Sequence, residues 1–222
     1  MILGLILCFI PLIISLLAFT FGFKLKLSFQ LIACLFGLIA VLPISFIQFF
    51  IPEIPSLASY PILYTLIKSL VLYGFIEELI KMLLCIPLPH KELDERDFLF
   101  LAFMMGIALG CFESAVYYFD HLQIANNRGA QLLYGQIGVR IFTSDIIHMM
   151  CTGLCGLFIY SCRSKKSRLS FFVTAILLHG VYDFFAGFSG SLRWFSIAVV
   201  LLSIAECRIK YIALKNQENN VD

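Results

Sequence analysis

Long apolar runs separated by short polar connections set the pattern of this chain. They fall at about 1–20, 28–50, 61–87, 98–119, 138–162, 169–188 and 192–213. A run of about 20 apolar residues is what an α-helix needs to cross a hydrocarbon core ~30 Å thick. Lipid does not tolerate exposed irregular backbone, so helices are the expected form. A transmembrane barrel would instead show alternating segments of about ten residues, and the continuous runs contradict it. The expected fold class is therefore all-α, a polytopic transmembrane helix bundle of about seven spans. It reads as a single integral membrane domain over 1–222 with a motif-bearing core at about 60–190. The longest connection, Asp120 to Ile137, carries Asn126, Asn127, Arg128 and Gly129 and is the expected extramembrane loop. A tight turn from Gly187 to Ser191 divides the last two spans.

Composition strengthens the membrane reading. The 222 residues are 61% hydrophobic and only 14% charged, with 23 Phe, where a soluble domain carries about 25% charged residues. The mean hydropathy of +0.96 excludes a disordered tail or an ordinary globular domain. No long basic face exists that could hold a nucleic acid, so the bilayer itself is the expected surrounding. Eight cysteines sit mostly inside the apolar runs, where a thiol behaves as a small hydrophobe. Neither a disulfide framework nor a zinc-thiolate site is expected of them. The first run starts at Met1 without the basic segment of a cleaved signal peptide and reads as a retained span.

Basic residues give an orientation. Lys24, Lys26, Lys91, Arg96, Arg163, Lys165, Lys166, Arg168, Arg208, Lys210 and Lys215 make 11 on one side. Arg128, Arg140 and Arg193 make 3 on the other, while Lys68 and Lys81 lie within the third run. The N-terminus is expected outside and the C-terminus in the cytoplasm.

A charge at mid-bilayer costs about 2.5–3.5 kcal/mol even on insertion scales and marks a functional candidate. Glu77, Glu78 and Lys81 lie in span three, Glu113 in span four, Asp145 and His148 in span five, and His179 and Asp183 in span six. At about 1.5 Å per residue, Glu77, Glu113, His148 and His179 all fall roughly 15–24 Å from the cytoplasmic boundary. Structural polar residues have no reason to share a depth, whereas a single buried site does. Lys81 is spaced to neutralise or orient either glutamate, at i,i+4 from Glu77 and i,i+3 from Glu78. Ala102, Gly106, Gly110 and Ser114 form a small-residue stripe that permits close helix approach. Arg140, Ser144, His148, Thr152 and Gly156 form a polar and small stripe on span five. Tyr117, Ser144 and Thr152 read more readily as packing or hydrogen-bonding residues, and Asp145 as a partner for Arg140 or a neighbouring helix.

Two chemistries use carboxylates and imidazoles together at this depth. One is peptide hydrolysis, in which a buried glutamate takes a proton from water and a histidine holds that water or donates to the oxyanion. The other is ion-coupled transport. Glu113, His148 and His179 could offer zinc ligands, but no H-E-x-x-H motif is present, nor a G-x-S-x-G elbow or a Walker loop. Transport would be expected to bring internal repeats and interrupted helices, and no convincing repeat is visible.

Four segments then carry a resemblance. They are Glu77-Glu78-Leu79-Ile80-Lys81, Gly110-Cys111-Phe112-Glu113 with Tyr117, Arg140 and His148 through Gly153, and His179-Gly180-Val181-Tyr182-Asp183-Phe184. In order, spacing and placement they resemble the PrsW family of intramembrane proteases, relatives of the CAAX prenyl endopeptidases and of bacteriocin-processing and immunity proteins. The resemblance covers about 60–190 and departs mildly at Leu109, where the second motif usually has Phe. It implies a helical bundle with metal-independent, glutamate-based endopeptidase activity and no cofactor. Glu77 or Glu78 would be general base, with Glu113, His148 and His179 completing the catalytic set. Lys81, Tyr117, Arg140 and Asp183 would support it. It further implies a membrane protein substrate such as an anti-sigma factor, and a bacterial plasma membrane location. Bacteriocin processing or immunity on the same fold, and ion-coupled transport, are the alternatives. The sequence does not fix the oligomeric state.

Overall fold

Polar punctuation decides where the apolar runs begin and end as helices. A computed structural model describes residues 2–51, 59–91, 93–128, 130–163 and 167–218, with the side chains of 123–132 outside the description. The helices are α1 (Ile2–Leu17), α2 (Leu27–Phe50), α3 (Pro61–Lys68), α4 (Glu77–Cys85), α5 (Glu95–Arg128), α6 (Ala130–Phe142), α7 (Ser144–Arg163), α8 (Leu169–Ala186) and α9 (Phe195–Glu218). Pro61 opens α3, where a missing N–H costs nothing. Asp94 precedes α5 and its Oδ1 accepts the Asp97 N–H at 2.8 Å, a side-chain N-cap. α8 ends before Gly187, and Gly190 turns the chain into α9 with φ +90, a backbone that favours glycine.

Among the described residues, five stretches are long and apolar enough to cross a membrane: Ile2–Gly22, Leu27–Phe50, Glu95–Leu122, Leu133–Arg163 and Leu169–Ala186. The predicted third and seventh spans are not among them. Lys68, Glu77, Glu78 and Lys81 interrupt the one, and Glu206, Arg208 and Lys210 the other. Large apolar side chains face outward along the rods, including Leu42, Phe49 and Phe142. The chain is an all-α, multi-pass membrane protein.

Three local departures from the predicted pattern matter. The expected loop from Asp120 to Ile137 is mostly helix, because α5 runs 34 residues to Arg128 and α6 starts at Ala130. The side chains of Asn126, Asn127 and Arg128, and Gly129 itself, lie outside the described residues, as do Met1, Lys165 and Lys166. The predicted fifth span starts earlier and is broken at Thr143, whose hydroxyl donates back to Val139 O at 2.8 Å. The predicted third span is not one α-helix: Ser69–Ile76 is wound as a π-helix between α3 and α4. Each π turn holds an extra residue, so the side chains beyond it point in a new direction.

α5 and α7 form the centre, with α2 packed on α5 and α8 on both α7 and the π segment. The small-residue stripe is the reason α5 and α7 can meet. A Cβ on Gly106 would stand 2.5 Å from His148 O, and one on Gly110 would stand 3.0 Å from Asp145 Cα. The π segment meets α8 as closely, through Gly74 and Gly180. Around these contacts lie a core of Ile147, Leu154, Leu157, Phe171 and Ala175 and a second of Ala33, Leu101, Ala102 and Met105. The rigid contact of α5, α7, α8 and the π–α4 rod is what holds the polar groups below.

Candidate active site

α4 starts where the π winding ends, so its first two residues, Glu77 and Glu78, project inward from the change of register. Adjacent residues on a helix point about 100° apart, and the two carboxylates accordingly meet different partners. Glu78 is fully buried. Its Oε1 accepts from Lys81 Nζ at 2.5 Å and from His179 Nδ1 at 2.6 Å. Its Oε2 accepts from the Cys155 thiol at 3.3 Å. Glu77 turns toward α2, where Gln48 Nε2 donates to its Oε1 at 2.9 Å. Glu77 Oε2 is buried and has no hydrogen-bond partner among the described residues.

The two histidines meet edge to face, with ring centroids 4.8 Å apart. Their tautomers are set by their neighbours. A lysine ammonium can only donate, so His148 Nδ1 accepts from Lys81 Nζ at 3.1 Å, and His148 Nε2–H donates to Glu113 Oε2 at 2.9 Å. For His179 the 2.6 Å contact puts the hydrogen on Nδ1, facing Glu78. The Lys81 contact to the same nitrogen, at 3.5 Å, is too long to compete. That leaves the His179 Nε2 lone pair facing Glu77 Oε2 at 3.8 Å and Asp183 Oδ2 at 3.3 Å.

A support layer surrounds this set. Arg140 Nη2 stands 3.6 Å from Glu113 Oε2, and the guanidinium donates to Ser114 and Ser144 at 3.1 Å each. Its other face lies over the Tyr117 ring at 4.9 Å. Tyr117 itself stacks on His121 and makes no contact with the two histidines or with Glu77 among the bonds described. Asp145 accepts from Ser114 at 3.0 Å and from the Cys111 thiol, tying α7 to α5 rather than pairing directly with Arg140.

The structure thus gathers Glu77, Glu78, Lys81, His148 and His179 into one buried cluster with the half-buried Glu113 and Asp183 beside it, and sets Tyr117 and Arg140 at its edge. Gln48 and Cys155 also reach it, and neither was expected there from the sequence. Gln48 carries no charge to flag it within an apolar span. Cys155 lay among eight similar thiols, all free.

Glu77, His148 and His179 each offer one ligand atom, and these atoms lie within 4.8 Å of one another, all three residues buried. The set fits a metal ion on this structure's own terms. Glu77 Oε2 is an orphaned buried oxygen. His179 donates its other nitrogen to a carboxylate, the usual arrangement behind a metal-binding imidazole. Both nitrogens of His148 are engaged, so coordination there exchanges a hydrogen bond to Glu113 or to Lys81.

Comparison with known proteins bears on the same point. The family model described as PrsW family intramembrane metalloprotease matches residues 26–205. No curated protein and no solved structure matches the chain. The expected metal-independent, glutamic mechanism is therefore corrected, by the family's metalloprotease character and by the Glu77, His148 and His179 set. The physical reason for the error is that H-E-x-x-H reports ligands on one helix, whereas these three come from α4, α7 and α8. Transport and bacteriocin immunity find no support beside this match. The chain belongs to the PrsW family of intramembrane metalloproteases, and its activity is intramembrane proteolysis.

Proposed function

We propose that Glu77, His148 and His179 hold a divalent metal ion, and that the chain hydrolyses a peptide bond of a membrane protein in or beside its transmembrane part. An anti-sigma factor is one such substrate class. The observation that carries this reading is the convergence of three buried residues whose ligand atoms lie within 4.8 Å, with one Glu77 carboxylate oxygen unpartnered among the described residues. Two imidazoles and a carboxylate suit a zinc-type ion that keeps an open position. Bound there, such an ion supplies polarisation of the scissile carbonyl and a nucleophilic water near neutral pH.

The chain's own residues do the remaining work. Glu78, anchored by Lys81, fixes the His179 ring and its tautomer. Glu113, facing Arg140, does the same for His148. Asp183 is half-buried, lies 3.3 Å from His179 Nε2 and has no ion pair with a lysine or arginine among the described residues. It is the carboxylate best placed to take a proton from the attacking water and return it to the leaving amine. Tyr117 packs Arg140 rather than touching substrate.

The same reading treats 1–222 as a single integral membrane domain with its motif-bearing core at 60–190. It has seven spans, N-terminus outside and C-terminus cytoplasmic, in a bacterial plasma membrane. The 11-to-3 distribution of basic residues supports the orientation. The test of the site is the metal content of purified protein together with cleavage of a co-expressed membrane substrate. Stoichiometric metal is expected in the wild type, with metal and cleavage lost together on chelation and in Glu77→Gln and His179→Ala. Stoichiometric metal retained in Glu77→Gln, or full cleavage by metal-free protein, would overturn the reading.

A further inference from the structure

Among the described residues, Glu77 differs from the other two candidate ligands in being supported by an uncharged side chain rather than by a charged member of the cluster. Its neighbour is Gln48, on α2, a span with no charged residue. The Gln48 amide nitrogen lies 2.9 Å from Glu77 Oε1 and 3.3 Å from the Leu72 carbonyl oxygen. Both partners are acceptors, so both hydrogens of the amide are used and its orientation is set by them. Leu72 belongs to the π-helical segment Ser69–Ile76. One side chain therefore ties three things together: α2, the backbone of the π turn, and one oxygen of Glu77.

The consequence is a division within the Glu77 carboxylate. With Oε1 held by Gln48, rotation about the terminal bond is restrained, and Oε2 is left unpaired, 3.8 Å from His179 Nε2. We propose that Gln48 is a positioning residue that presents Glu77 Oε2 to the metal ion by clamping Oε1 against the π turn. This rests on the reading that Glu77 is a ligand. Gln48 does not touch the other two ligands; it acts only through Glu77.

A second glutamine on the same helix provides an internal comparison. Gln30 is fully buried and donates to Thr20 Oγ1 at 2.9 Å and Leu25 O at 3.0 Å, far from the cluster. It does for the α1–α2 connection what a purely structural amide does. Truncating either amide can affect stability, but only Gln48 should affect the ion.

The experiment is zinc affinity by chelator competition on full-length protein in nanodiscs, with cobalt(II) absorption as a report of ligand geometry. Gln48→Met keeps the side-chain length and removes the donor. Gln48→Asn keeps the amide but is one methylene too short. Both should weaken zinc binding about 10–100-fold, the range for lost support behind a metal ligand, and change the cobalt spectrum. Gln30→Met should leave both unchanged whatever it does to the melting temperature. Wild-type affinity and spectrum in whichever Gln48 variants fold, with binding lost in Glu77→Gln, would overturn this inference and leave the ligand assignment standing. Wild-type affinity in Glu77→Gln would remove the ligand assignment and this inference with it. Equal losses in the Gln30 and Gln48 variants would also overturn it, since the effect would then be general loosening of α2.

Discussion

Adding one methyl group at Gly180 should separate activity from folding. Gly180 is the residue after His179 on α8 and lies against the π segment. A Cβ there would stand 2.8 Å from Leu70 Cα and 3.0 Å from Ser69 O. Both are backbone atoms, which cannot swing aside as the end of a flexible side chain can. Restoring an ordinary contact of 3.4 Å requires the two segments to part by roughly 0.6 Å, and overpacking of this kind typically costs about 1–3 kcal/mol. The reverse contact is as tight, since a Cβ on Gly74 would stand 2.6 Å from Ile176 O. The displacement acts directly on the bond between His179 Nδ1 and Glu78 Oε1, now 2.6 Å, and on the facing of His179 Nε2 toward Glu77. A misplacement near 1 Å can cost about 10²-fold in rate.

Gly180→Ala is therefore expected to cut cleavage about 10–100-fold while most of the protein still accumulates in the membrane. Immunoblots of protease and of a co-expressed membrane substrate, read over time, measure both quantities. Gly135→Ala and Gly138→Ala are the controls, because a Cβ at either position meets none of the described residues within 4 Å. They should cleave as the wild type does, and each gains up to about 1 kcal/mol of helix propensity. Wild-type cleavage by Gly180→Ala at equal protein level would refute the claim that the π–α8 contact sets the geometry of the site.

Two further outcomes distinguish the neighbouring glutamates and test the topology. Glu78→Gln strands the fully buried Lys81 without its carboxylate, and breaking a buried pair costs about 3–5 kcal/mol. It should lower the melting temperature of chelated, metal-free protein as well as cleavage. Glu77→Gln should lose cleavage with little change in the melting of that metal-free protein, where loss of the ion no longer enters; equal metal-free melting temperatures for the two variants would contradict the ion-pair assignment. Single cysteines at Lys26 and Trp194, in a background with the native thiols replaced, should react with a membrane-impermeant maleimide from the cytoplasmic and the outer side respectively. Labelling of both from one side would remove the proposed topology.

The parts of the fold that were legible are those the bilayer dictates. Long apolar runs must be helices in lipid, and the rods match them closely at 27–50 and 169–186. Charge inside the membrane is costly enough to be gathered rather than scattered. Reading depth along four helices therefore anticipated that Glu77, Glu113, His148 and His179 would share a level. The stripe at Ala102, Gly106 and Gly110 was legible for the same kind of reason, since only small side chains let α5 and α7 approach.

What stayed hidden depends on winding and rotamers, neither of which has a spacing in the sequence. Nothing in Ser69–Ile76 announces a π-helix, yet that extra winding decides which way Glu77 and Glu78 face. From spacing alone Lys81 could serve either glutamate, and the structure gives it to Glu78. That single choice has a chemical consequence. With the ammonium drawn to Glu78, Lys81 is paired away from Glu77, whose Oε2 is left buried without a hydrogen bond among the described residues. The metal-free expectation left either glutamate open as general base, with Lys81 orienting the pair. Once they are split into an anchored pair and an open carboxylate, the open one faces two imidazoles at a distance suited to a shared cation. The fit of the cluster to a metal ion therefore depends on its partitioning rather than on its composition, and partitioning is settled only when three helices are in contact.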